Sequence, residues 1–357
     1  MNARRVVMLL VAAAVVIGAA LWMSSNRNSA GHSAAGEPVL PGLKAALNDV
    51  TEIRVARGDS THVMLRKRPT DWVVAEREFP ADSGKVRKLL LDLGSLQVVE
   101  EKTRDPASYS RIGVEDVNSP KAAGTRVEAV TAKKVYALIV GKPAGSKSAY
   151  VRAVGAPVSL QASPQLAPEA DPKRWLDHAV VDIGEDRIKD VAVTPVSGAA
   201  YVVTREKKEQ TDFTVPNLPK GRELSSAGAA NPVAGNLASF VLDDVRRAPA
   251  DGAAAAAGHA TFHTFDGLEL QVDGYTEGDR HYVALTPRST AKESAAEAQT
   301  LDARVKGWQL EIPGYKWDAL FRPLEDLLKK PEPKPDAKAG KKPAAMSSPA
   351  TPPVPHP

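Results

Sequence analysis

The chain has no cysteine in 357 residues. That excludes a disulfide framework, a thiolate metal site and a lipid-bearing cysteine, so any folded part must rest on its apolar core. Aromatic residues are scarce, at 5%, which thins the supply of rings for stacking on sugars or bases. A charge surplus is also missing from the body of the chain. The formal net charge of +4 sits at the two ends: residues 1–36 hold Arg4, Arg5 and Arg27 against no acid, and residues 331–357 hold four lysines against Glu332 and Asp336. Residues 37–330 are left with a single acid in excess, so the globular part carries no nucleic-acid footprint.

Long apolar runs are absent apart from one. Residues 6–23, bounded by Val6 and Met23, read VVMLLVAAAVVIGAALWM and carry no charge. As a helix rising 1.5 Å per residue they would span about 27 Å, close to the hydrocarbon thickness of a bilayer. Arg4 and Arg5 precede the run and only Arg27 follows closely. The positive-inside bias then keeps the amino terminus in the cytoplasm and exports the rest. The competing reading is a cleaved signal peptide, with Gly18 and Ala20 as the small residues at the cleavage site. Both readings export the chain; the anchor reading makes it a single-pass membrane protein with its bulk outside the cytoplasm.

The other end, from Pro331, is rich in proline, lysine and alanine, and has too few branched apolar residues to bury a core. It is expected to be an extended, disordered tail.

Between the ends the chain pattern occurs twice. From Ile53 it reads IRVARGDSTHVMLRKRPTDWVV, two strand candidates around a Gly-Asp turn, and from Ile188 it reads IKDVAVTPVSGAAYVVTREKKEQTDFTV. Both end in Asp, an aromatic and a valine-bearing strand, so Asp71-Trp72 corresponds to Asp212-Phe213. A helix candidate follows each: residues 85–96 with Val86, Leu89, Leu90 and Leu93 on one face, and residues 236–245 with Leu237, Phe240, Val241 and Val245. Next come KVYALIVGKP and AYVRAVG, or GLELQVDGYT and HYVALTP. Counting from Ile53 and Ile188, Val135 and Leu268 fall at nearly the same distance, as do Tyr150 and Tyr282. A helix-like segment closes each unit, SPQLAPEADPKRWLDHAVVDI in the first and GWQLEIPGYKWDALFRPLEDLL in the second.

The expected fold is α+β: two tandem repeats, each an antiparallel sheet with an amphipathic helix packed on one face, behind an N-terminal membrane helix. The divisions are an anchor or signal peptide over 1–23, a linker over 24–44, repeats over 45–180 and 181–330, and the tail from 331. Trp72 is expected to be a buried anchor between strand and helix.

The stretches DWVVAEREFPADSGKVRKLLLDLGSLQVVEEKT, VYALIVGKPAGSKSAYVRAVG and RWLDHAVVDIGEDRIKDVAV resemble the DUF4340 domain proteins, which carry tandem copies of such a unit behind an amino-terminal membrane helix. The resemblance covers roughly residues 45–328, with NLPKGRELSSAGAANP as an insertion in the more diverged second copy. It implies a bacterial envelope protein, often encoded beside ABC-type transporter components associated with gliding motility, and it implies no known activity.

No motif for chemistry survives inspection. His259 and His263 have the i, i+4 spacing that converges on a metal from a helix. Their flanks alternate as a strand, where four residues span about 13 Å, so no metal site is expected. GKPAGSKS, residues 141–148, combines glycines, a lysine and a serine but lacks the phosphate-loop spacing and leads into a strand, which predicts a hairpin turn. The pairs Glu115-Asp116, Glu185-Asp186 and Asp243-Asp244 are expected on solvated surface rather than as a hydrolase's two carboxylates. No Ser, His and Asp grouping has a nucleophile-elbow frame.

The sequence therefore points away from an enzyme, with no catalytic, cofactor or metal residues. The expectation is an interaction protein tied to the membrane through Val6 to Met23, with protein partners in the envelope, ABC-type transporter components among them. The alternative is a binding module for an envelope glycan or lipid. The first requires apolar patches or open sheet edges, the second a cleft with exposed aromatics.

Overall fold

Alternation of apolar and polar residues sets most elements in the computed structural model, which describes residues 35–249 and 255–330. β1 (Val50–Arg57) turns Val50, Ile53 and Val55 inward, and β2 (His62–Lys67) does the same with Val63 and Leu65. Between them the Asp59 carboxylate accepts the Thr61 amide at 3.0 Å and tightens the turn.

β3 (Trp72–Val74), β4 (Phe79–Pro80), β5 (Gln97–Thr103), β6 (Thr125–Thr131), β7 (Val135–Pro143), β8 (Ala149–Ala153) and β9 (Ser159–Ser163) complete the first sheet. Its order is β4-β3-β2-β1-β6-β7-β8-β9-β5, with antiparallel neighbours throughout. β4 and β5 lie at opposite edges, and helix α1 (Ser83–Gly94) carries the chain from one to the other. Asp82 caps α1 by accepting the Lys85 amide at 3.0 Å, and Val86, Leu89, Leu90 and Leu93 form its buried stripe.

β10 (Ala179–Val181) pairs with β13 (Phe240–Val241) in a small two-stranded sheet. The second large sheet comprises β11 (Ile188–Thr194), β12 (Tyr201–Thr204), β14 (Asp244–Arg247), β15 (Gly258–Thr264), β16 (Leu268–Glu277), β17 (Arg280–Ser289) and β18 (Trp308–Ile312). Its order is β12-β11-β15-β16-β17-β18-β14, again antiparallel. Helix α2 (Ala295–Val305) packs against β17, and α3 (Gly314–Leu320) follows β18.

The result is an α+β architecture dominated by antiparallel sheet. Buried apolar residues of both sheets form one continuous cluster, with Phe79 edge-on to Trp308 at 5.3 Å between ring centres. Backbone bonds tie the β4 end of the first sheet to the segment leading into β10: Asp82 N to Trp175 O at 2.8 Å and Asp177 N to Pro80 O at 2.9 Å.

Several expectations need correction. Residues 236–245 do not form a helix. A single helical turn over Asn231–Ala234, started by Pro232, passes through a 3-10 turn at Gly235–Leu237 and gives way to β13 and β14. Of the apolar residues credited to a helix face, Leu237 is buried in the 3-10 turn, and Phe240 and Val245 are inward residues of short strands with Val241 half-buried. The segment closing the first half forms a 3-10 turn, Pro172–Trp175, and then β10. In the final segment α3 stops at Leu320, and Pro323 precedes a 3-10 turn at Leu324–Leu327 instead of a continued helix. The expected linker is partly folded: Gly36 and Glu37 exchange backbone bonds with Val98, and Val39, Leu40 and Leu43 are buried.

Among the described residues no helix is long and apolar enough to cross a membrane. The expected anchor over 6–23 and the expected tail from 331 lie outside the described residues.

Candidate functional site

A charge cluster lies where the edge of the first sheet meets the second. Arg77, in the turn between β3 and β4, reaches Asp244 at the start of β14 with Nε to Oδ1 at 2.7 Å and Nη2 to Oδ2 at 3.0 Å. Lys173 Nζ stands 3.4 Å from the same carboxylate. Burial of Asp244 alone would raise its pKa; the Arg77 bonds, the Val245 amide and the charges of Arg77 and Lys173 outweigh it and hold the carboxyl below its ordinary value. Asp244 is 5% exposed, so the expectation of a solvated residue was wrong for this member of its pair.

The cleft around this contact has a volume of about 550 Å³. Its other arginines are also matched: Arg247 with Glu78 at 3.0 Å, Arg280 with Glu311, and Arg246 with Glu277. Arg246 lies 3.6 Å over the Tyr282 ring and Arg247 3.8 Å over Trp308. A cleft whose cations are all engaged holds two sheets together and offers little to an anionic ligand.

His259 and His263 both lie on β15, but each meets a different acid. His259 Nδ1 is 2.8 Å from Asp273, and His263 lies between Asp190 at 2.6 Å and Glu269 at 3.6 Å. Among the described residues no group of three or more His, Asp or Glu side chains is placed to hold a metal. GKPAGSKS turns β7 into β8, closed by Ala144 N to Ser148 O at 2.9 Å, with Gly145 at φ 79. Glu115 accepts the Ala123 amide, Asp116 meets Arg152 at 2.5 Å, and Glu185 accepts Arg205 through its backbone carbonyl.

A cavity of about 680 Å³ lies beside Arg152. That side chain is 3% exposed and fully committed, to Val114 O, Ala156 O and Asp116, with its guanidinium 4.7 Å over Tyr109. It pins the loop before β6 onto β8.

Trp72 is only partly buried, not the enclosed anchor expected. It packs against the core and also borders an open pocket of about 310 Å³ between the β2–β3 turn and α1. Its companion Phe213 is fully buried. Sequence periodicity cannot make this distinction, because each is an aromatic set between an Asp and a valine-bearing stretch.

Two large antiparallel sheets with short helices, and no clustered metal ligands among the described residues, define a sheet-built α+β protein. The chain belongs to the DUF4340 family: the family model, described as "Domain of unknown function (DUF4340)", matches residues 72–258, from the first residue of β3 to the first residue of β15. No curated protein and no solved structure matches it.

Proposed function

We propose that this is a non-enzymatic accessory protein of the cell envelope, held at the membrane by residues 6–23 and working with an ABC-type transport complex. The observation that carries the reading is the outer edge of β12. β12 is the terminal strand of its sheet, and among the described residues only Thr204 is bridged on that side, to Thr214. Val202 is 40% exposed on it and nearby Val196 is 51% exposed. An open, apolar strand edge suits a protein partner that adds a strand of its own. Crosslinking in intact membranes tests this: recovery of transporter subunits is expected, and recovery of none would overturn it.

We also propose that the two large sheets are copies of one unit. Replacing β2-β1-β6-β7-β8-β9-β5 by β12-β11-β15-β16-β17-β18-β14 preserves the strand order. A 3-10 turn, Leu47–Asp49 or Glu185–Arg187, opens each. Each first strand then carries a register shift, between Val50 and Glu52 in one and Ile188 and Asp190 in the other. The ladders match Arg66 with Thr204 and Val73 with Thr214, hence Trp72 with Phe213. They match Tyr150 with Tyr282 as well. They match Ile188 with Val50 rather than Ile53, and Val135 with Glu269, one position beyond Leu268.

A second reading, binding of an envelope glycan or lipid, is favoured by one feature, the open pocket beside Trp72.

A further inference from the structure

The two halves treat equivalent positions differently. In the second, Asn231 opens the helical turn, gives its Nδ2 to Asp212 Oδ1 at 3.1 Å and accepts the Phe213 amide on its Oδ1 at 2.9 Å. Arg205 lies 4.7 Å over the Phe213 ring and is spent on three carbonyls, those of Ile188, Gln210 and Glu185. That corner is full and satisfied.

In the first half the counterparts are Asp71, Trp72, Lys67 and Ser83. Ser83 opens α1 as Asn231 opens its turn, but makes no bond to Asp71, and Asp71 Oδ1 is buried without a hydrogen-bond partner. Lys67 reaches only Asn48 O, at 2.9 Å. Arg68 and Arg87 border the same pocket, and neither makes an ion pair among the described residues, whereas Arg54, Arg77, Arg126, Arg246 and Arg280 each meet a carboxylate. The pocket thus brings together the Asp71 carboxylate, one oxygen of which is buried without a donor, two guanidiniums lacking an anion, and the side of an indole.

A carboxylate short of donors gains a charge-assisted bond from a ligand hydroxyl. Guanidiniums bind phosphate or carboxylate through charge-assisted, often paired, bonds. An indole offers an apolar surface to the C–H face of a ring. About 310 Å³ lies at the small end of ligand pockets, the size for one substituted sugar ring rather than an acyl chain.

We propose that the cleft formed by Asp71, Trp72, Arg68 and Arg87 is a binding site for an anionic monosaccharide unit, a hydroxylated ring carrying a phosphate or carboxylate. Asp71 accepts a ring hydroxyl, Trp72 carries the ring, and Arg68 and Arg87 hold the anion. The inference gives the second reading above a location. The contrast with Asn231 rests on the proposed duplication; the pocket and its unmatched groups do not.

The test is calorimetric titration of the full chain with glucose 6-phosphate, glucuronate, glucose and inorganic phosphate. The expected result is saturable binding of both anionic sugars, with glucose and phosphate each weaker by about tenfold or more, because each lacks one half of the recognition. Arg68 and Arg87 are exposed, so the R68Q/R87Q double variant should keep the wild-type melting temperature while losing about tenfold or more in affinity for both sugars. Asp71→Asn should weaken the sugars and leave phosphate unchanged. Wild-type affinity in R68Q/R87Q would overturn the site while leaving glycan binding elsewhere on the chain intact. No binding by the wild type would overturn both, and phosphate binding as tightly as glucose 6-phosphate would reduce the cleft to an ion site and overturn the proposal.

Discussion

Arg77 and Asp244, separated by 167 positions in sequence, meet through two bonds of 2.7 and 3.0 Å at the junction of the two sheets. Asp244 is the more buried partner, so its removal from contact leaves a desolvated charge behind. Arg77→Ala is expected to cost about 1 to 3 kcal/mol, with Lys173 limiting the loss. Denaturant melts of the single variants and of the double Ala variant would show coupling between the sites; additive losses would contradict the contact.

The same pair sets an acid limit. The folded-state pKa of Asp244 is depressed, so the stability it confers is present above the unfolded value of about 3.9 and is lost as pH falls through the folded value. Asp244→Asn should therefore be most destabilising between about pH 5 and 7. The gap to the wild type should narrow below about pH 4, as followed by urea midpoints across pH. A gap that widens in acid would contradict the sign.

Sequence reasoning reached the strands well and this junction not at all. Strand periodicity is local, and Val50, Ile53 and Val55 of β1 and Ile188, Val191 and Val193 of β11 write their inward faces directly into the chain. On the proposed duplication, matching Ile53 to Ile188 sets the comparison three residues out of phase, because a register shift after the first inward residue is not visible in an apolar pattern. Helix α2 escaped notice for a related reason: only Ala298 and Val305 of its residues are buried, too thin a stripe to stand out. Asp243 and Asp244 looked alike as neighbours, and only the fold brings Arg77 to one of them.

The contrast between Trp72 and Phe213 gives a stability test. Phe213 is fully enclosed, so Phe213→Ala should cost about 3 to 5 kcal/mol. Trp72 borders a pocket and is partly exposed, so Trp72→Ala should cost less, about 1 to 2 kcal/mol. Thermal melts of the two variants decide it, and a larger loss at Trp72 would mean that its ring is enclosed.

The exported reading has its own test. A reporter active only outside the cytoplasm, fused after Pro41, should be active, because Arg4 and Arg5 precede the apolar run and little positive charge follows it. A cytoplasmic signal would reject both the anchor and the signal peptide.

The last test concerns why two like sheets pack differently. The ladders place Gly274 of β16 where the first sheet has Val140 of β7: Gly274 faces Val283 as Val140 faces Val151. The first sheet accepts a branched side chain there and buries it. In the second, Trp317 of α3 and Phe321 occupy the space, and a Cβ on Gly274 would lie 2.5 Å from Phe321 Cε2 and 2.8 Å from Trp317 Cζ3. Both rings are buried, Phe321 edge-on to Trp317 and Trp317 stacked on His281, so they have little room to yield. Gly274→Ala should therefore cost about 1 to 3 kcal/mol by overpacking, while Val140→Ala should destabilise by the opposite route, a cavity. Pairing Gly274→Ala with Phe321→Leu should recover part of the loss if the clash is the cause; no recovery would place the cost in the strand backbone instead.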